Sequence, residues 1–139
     1  MHLIIDAGNT RIKLAVFNKE ELIHNEIITY LELENKALLL IENYKISQGI
    51  ISSVGDVKKS IISKIKNKIK LLTLNSDTKI PFKNNYSTPK TLGVDRIALI
   101  AAAIANYPRK NVLVIDAGTC ITYDFVDKNK QYLGGAISP

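Results

Sequence analysis

With 139 residues, 46% of them apolar and 23% charged, the chain has the size and balance of one ordinary globular domain, and Gly and Pro are too few for a collagenous or low-complexity chain. One cysteine, Cys120, excludes a disulfide scaffold and a cysteine metal cluster, and no apolar run approaches the roughly 18 residues of a membrane span. Asp6 and Arg11 interrupt the first apolar run, so no signal peptide is expected and the cytoplasm is the expected compartment.

In chain order, the opening predicts a β-meander: a strand to Asp6, a turn, a strand over 12–17, a hairpin turn at Asn18-Lys19-Glu20 and a strand over 22–29. The stretch 31–44, rich in Leu, Glu and Ala and free of Gly and Pro, predicts a helix, and 49–54 a short buried strand. Asp56 is placed to cap a helix over 57–68, followed by a strand over 70–74. Ile61, Ile62, Ile65 and Ile69 recur there at helical spacing, so the lysines between Lys64 and Lys70 decorate a solvent face. Without interleaved aromatics, the net charge of +6 is not read as a nucleic-acid surface. Residues 75–90, with Pro81, Pro89 and several Asn and Ser, predict a long loop, and 93–106 an Ala-rich helix stopped before Pro108. Strands over 112–116, 121–126 and 132–137, with a turn at 127–130, complete the reading. His2 and His24 are expected to be exposed and without a role, and Cys120 to be a small apolar filler.

The last three strands repeat the first three. Leu3-Ile4-Ile5-Asp6-Ala7-Gly8-Asn9-Thr10 and Leu113-Val114-Ile115-Asp116-Ala117-Gly118-Thr119 are the same statement, offset by 116 − 6 = 110 positions. Each is a buried strand that delivers a carboxylate and a tight turn of free N–H groups, a combination suited to a phosphate. Two such turns imply two related lobes facing one nucleotide. In the first turn, Asp6 is placed to hold Mg²⁺ directly or through water, Gly8-Asn9-Thr10 offer donors, and Lys13 offers a point charge for phosphate oxygens. Neither a Walker P-loop nor a Rossmann fingerprint is present. Gly93-Val94-Asp95-Arg96 stands where the long loop becomes a helix; Asp95 is placed to take a proton from an attacking hydroxyl, and Arg96 to fix a substrate anion. The plainer alternative is an acid complementing the helix dipole beside a surface cation.

These residues resemble the type III pantothenate kinases, members of the actin-like and sugar-kinase superfamily. The resemblance runs through Asp6-x-Gly8-Asn9-Thr10-x-x-Lys13, Ser52-Ser53-Val54, Tyr86 with Gly93-x-Asp95-Arg96, Asp116-x-Gly118-Thr119 and Gly134-Gly135-x-Ile137-x-Pro139. It implies an α/β, actin-like (ribonuclease H-like) ATPase fold and ATP-dependent phosphorylation of pantothenate in coenzyme A synthesis. Asp6, Ala7, Gly8, Asn9, Thr10, Arg11, Ile12 and Lys13 would bind ATP phosphates with Mg²⁺, and Thr119 would meet ATP. Asp95 would be the general base, Tyr86, Gly93, Val94, Asp95 and Arg96 would contact pantothenate, and Asp116 would hold K⁺ or NH₄⁺. A homodimer is implied as well. The expected division is a complete first lobe over 1–110 and the opening meander of a second over 111–139, with no helix to cover it, so the chain is expected to be a piece of a longer protein or to depend on a partner chain. The alternatives are a nucleotide-binding regulatory relative that transfers nothing, and a kinase of the same superfamily with another acceptor.

Overall fold

Along the first strand every second residue is apolar and buried, and this alternation decides which face of the sheet becomes the core. The computed structural model describes all residues, Met1–Pro139, as two compact units, Met1–Leu74 and Asn75–Pro139. In the first unit, β1 (His2–Ala7), β2 (Ile12–Asn18), β3 (Glu21–Ile28), β4 (Gln48–Ser53) and β5 (Lys70–Thr73) form one sheet in the order β3-β2-β1-β4-β5. The meander β1-β2-β3 is antiparallel, whereas β4 and β5 run parallel to β1. Leu3, Ile5, Ala7, Ile12, Leu14, Val16, Ile51 and Leu71 point to one face. There they join Leu33, Ala37, Leu40 and Ile41 of α1 (Leu33–Asn43) and Ile65 of α2 (Lys59–Lys66) in a single cluster.

Helix α1 buries residues at the i, i+4, i+7, i+8 spacing of an amphipathic helix. It ends at a left-handed residue, Lys45 with φ 49°. The Ile46 and Lys45 N–H groups donate to the Ile41 and Glu42 carbonyls, the paired bonds that close a helix C-terminus. Helix α2 begins at Lys59, not at 57, and carries no side-chain cap: Lys58 is extended with ψ 128°, so Asp56 lies outside the first turn. Ile61 and Ile62 pack half-buried against the core and Ile65 and Ile69 are buried, as the spacing predicts.

In the second unit, β6 (Lys83–Asn84), β7 (Val112–Ala117), β8 (Ile121–Val126) and β9 (Gln131–Ser138) form a sheet in the order β6-β9-β8-β7. Helix α3 (Val94–Asn106) buries Ile97, Ile100, Ala103 and Ile104 and packs on β7 and β8. The expected division at 110/111 therefore does not coincide with the compact units, because the apolar strip of α3 lies against the second meander. That meander is not without a covering helix. Its opposite face does expose Leu113 and Ile115, at 56% and 58%. The expected loop over 75–90 contains β6, which pairs parallel with β9, and a 3₁₀ turn at Pro89–Thr91. Cys120 is exposed in a turn rather than filling a core, and His24 is half-buried, its Nε2 3.4 Å from Glu26 Oε1 and its ring 5.9 Å from that of Tyr44.

Candidate active site

Strand register builds the first turn. In the antiparallel β1/β2 pair Asp6 stands opposite Lys13, and in the parallel β1/β4 pair it stands beside Ser52. Since Ile5, Ala7, Ile12, Leu14 and Ile51 fill the core, Asp6, Lys13 and Ser52 share the other face. Lys13 Nζ lies 3.8 Å from Asp6 Oδ2, both partly in water, a weak pair. The Gly8 N–H donates to the Arg11 carbonyl at 3.1 Å, leaving Asn9, Thr10 and Arg11 exposed on the turn. The turn is held from behind. Tyr30 donates its hydroxyl to the Gly8 carbonyl at 2.5 Å, and the Val54 and Gly55 N–H groups donate to the Ala7 carbonyl. A Cβ on Gly55 would come within 1.9 Å of the Tyr30 hydroxyl, which gives that glycine its reason. Burial, with Asp56 and Asp6 near, pushes the Tyr30 phenol above its ordinary range, so it stays a donor.

The second turn copies the first with one residue fewer. Asp116 stands opposite Thr122 in the β7/β8 pair, and the Gly118 N–H donates to the Cys120 carbonyl at 3.1 Å. Thr122 thus occupies the place that Lys13 has in the first copy, so the positive point charge belongs to one turn only. Asp116, Gly118 and Thr119 are exposed. No group of three or more His, Cys, Asp or Glu side chains gathers in this chain. At each turn one carboxylate, Asp6 or Asp116, stands near a strand end beside the glycine turn.

The Gly93–Arg96 segment takes a different form from an exposed substrate clamp. Helix α3 starts at Val94 with Gly93 as an uncharged cap, and the Asp95 carboxylate folds back to accept the Arg96 N–H at 2.8 Å. A Cβ on Gly93 would meet Asp95 Oδ1 at 2.5 Å, so only glycine leaves the carboxylate that position. Arg96 turns inward. Its Nε donates to Asp124 Oδ1 and Oδ2 at 3.1 and 3.0 Å, and its Nη2 donates to Asp124 Oδ1 at 2.6 Å and to the Tyr132 hydroxyl at 3.0 Å. That hydroxyl donates in turn to Asp124 Oδ1 at 2.6 Å. Arg96, Asp124 and Tyr132 are 6%, 1% and 0% exposed, a buried ion pair whose hydrogen bonds are satisfied. The Asp124 hydrogen bonds hold the guanidinium above its ordinary range, and burial followed by Asp124 pushes the Tyr132 phenol up likewise.

Tyr86 belongs to the same cluster. Lys83 and Asn85 donate their N–H groups to the Lys130 and Tyr132 carbonyls, and the ladder brings the Tyr86 ring onto that of Tyr132, centroids 6.0 Å apart and 25° from parallel. Arg96 Cζ lies 5.7 Å from the Tyr86 centroid. Asp6 to Lys13 thus form one constellation in the first unit, and Tyr86, Arg96, Asp124 and Tyr132 another in the second, with Asp95 beside Arg96 on α3. Sequence reasoning passed over Tyr30, Gly55, Thr122, Asp124 and Tyr132. The available signal was an acid inside a strand, Asp124 between Tyr123 and Phe125, which calls for a buried partner.

The profile of the family described as type III pantothenate kinase matches residues 2–139. A protein of that description from Christiangramia forsetii is 48% identical over 100% of this chain and 58% of its own length. One from Flavobacterium johnsoniae is 45% identical over 100% of this chain and 57% of its own, and one from Bacteroides fragilis 41% over the same shares. The chain spans just over half the length of these relatives. Among solved structures, a putative N-acetylglucosamine kinase from Porphyromonas gingivalis aligns with TM-score 0.56 at 9% identity, covering 98% of this chain and 47% of that one. An Aquifex aeolicus Ppx/GppA phosphatase aligns with TM-score 0.54 at 11% identity, covering 99% and 51%. At such identity the likeness concerns the fold alone, the α/β fold of actin-like ATPases and sugar kinases.

Proposed function

The chain belongs to the type III pantothenate kinase family, and we propose that the whole protein transfers the γ-phosphoryl group of ATP to the hydroxyl of pantothenate, the first step of coenzyme A synthesis. The observation that carries this reading is the match of the family profile across residues 2–139. The local geometry supports it. Asp6 and Lys13 flank a turn with exposed Asn9, Thr10 and Arg11, the parts that phosphoryl transfer asks for.

In this reading Asp6 to Lys13 receive the ATP phosphates, with Lys13 countering negative charge and the turn donating N–H groups. Asp6 would hold Mg²⁺ and Asp116 a monovalent cation, K⁺ or NH₄⁺; the ions supply charge neutralisation at the phosphates. Thr119 contacts ATP. Tyr86 and the Gly93–Asp95 start of α3 hold pantothenate, with Arg96 behind them in its ion pair with Asp124, and the Asp95 carboxylate takes the proton of its hydroxyl as the oxygen bonds to the γ-phosphorus and the bond to ADP breaks. The protein works as a cytoplasmic homodimer.

The test is pantothenate-dependent ADP release by the whole protein, with and without K⁺, in wild type and Asp95→Asn. Wild-type turnover that needs K⁺, and a folded Asp95→Asn enzyme slower by about 10²–10⁴-fold, are the expected results. Undiminished turnover in Asp95→Asn would remove that residue from the mechanism. ATP binding without ADP release in wild type would mark a regulatory relative, and phosphorylation of another acceptor with pantothenate untouched would replace the substrate.

A further inference from the structure

The proposed reaction uses Tyr86 and the start of α3 but gives no part to Asp124, Tyr132 or the Gly134-Gly135 pair, although Asp124 and Tyr132 are the most deeply buried groups around Arg96. Asp124 is buried, and its carboxylate receives both Arg96 donors and the Tyr132 hydroxyl. Arg96 and Tyr132 both contact the Tyr86 ring, one at 5.7 Å from its centroid and the other stacked at 6.0 Å. The glycines make room for this. A Cβ on Gly135 would lie 2.8 Å from Asp124 Oδ1 and 2.9 Å from Arg96 Nη2, while Gly134 takes φ +112° where the strand passes Tyr86. A buried, unpaired guanidinium would be costly, so without the Asp124 charge Arg96 cannot keep this place. The ring it supports would lose its contact with the guanidinium.

We propose that Asp124 is a positioning residue for the acceptor: through Arg96 and Tyr132 it fixes the Tyr86 ring and the start of α3, and so sets acceptor affinity without touching the nucleotide turn. The proposal rests on the reading of Tyr86 and Gly93–Asp95 as the pantothenate site. It assigns the Gly134-Gly135 pair a physical purpose, to let β9 pass over a filled ionic cluster.

The experiment compares the whole protein as wild type, Asp124→Asn and Tyr132→Phe, with pantothenate and ATP varied separately. Asp124→Asn keeps the side-chain shape and removes the charge; Tyr132→Phe removes one hydroxyl and leaves the ion pair. The expected result is a pantothenate KM raised about tenfold in Asp124→Asn and about threefold in Tyr132→Phe, with the ATP KM within about twofold of wild type. A folded Asp124→Asn protein with unchanged pantothenate KM, or with both KM values and kcat worsened alike, overturns the proposal. Where Asp124→Asn fails to fold, Tyr132→Phe decides by the same criterion. A second readout is independent of the acceptor: the NMR signals of the Tyr86 ring, assigned with Tyr86→Phe, are expected to shift in both variants. Wild type that turns over no pantothenate overturns the functional reading and with it the acceptor role of Asp124; the Tyr86 signals then report separately whether Asp124 holds the ring.

Discussion

A single carboxylate organises the second unit, because Asp124 is the acceptor for every polar group buried with it. Tyr132 carries a testable consequence. Its phenol is held above the ordinary value of 10.0 by burial and by Asp124. A group with a raised folded-state pKa contributes stability that is complete below its unfolded pKa and is lost as pH rises through the folded one. The wild type is therefore expected to exceed Tyr132→Phe by about 1 kcal/mol at neutral pH, the worth of a buried hydrogen bond. That gap should narrow steadily above pH 10 in urea melts, since only the wild type has this proton to lose. A gap independent of pH up to the unfolding limit would contradict the buried geometry. At this scale the sequence was legible where residues act through the backbone turn, as at Asp6, Gly8 and Lys13. It was not legible for Asp124, because its partners are 28 and 8 positions away and no local periodicity links them.

The strands and helices follow from periodicity in almost every case, and their departures have local causes. Helix α2 starts late because Lys58 is extended, and β6 escaped notice because two residues carry no period; pairing with β9 alone makes it a strand. That pairing is what delivers Tyr86. Glycines mark where elements come too close for a side chain, and this yields a contrast within one class of substitution. Gly135→Ala would place a Cβ 1.8 Å from the Tyr123 carbonyl across the β8/β9 pair, whereas Gly8→Ala meets the Arg11 carbonyl at 3.4 Å. Backbone in a ladder cannot step aside cheaply. Urea unfolding is expected to register a loss of about 3–5 kcal/mol for Gly135→Ala and less than about 1 kcal/mol for Gly8→Ala. Equal losses would mean that β9 is free to shift.

For the whole molecule, the decisive fact is that the buried cluster from Leu3 to Leu71 closes within Met1–Leu74. Residues 1–74 expressed alone are therefore expected to unfold cooperatively and to give a dispersed amide spectrum; a collapsed, featureless spectrum would show that the cluster needs the remaining residues. Motif order was enough for the α/β class, the duplicated Asp-Gly turn and the family, because each depends on short-range features: alternation along a strand, and glycine and an acid at its end. Packing alone chose the rest. Helix α3 lays its apolar strip against the second meander, and Arg96 turned into the fold since a buried carboxylate from β8 met it. Those choices depend on which distant surfaces meet, and a linear pattern holds no record of that.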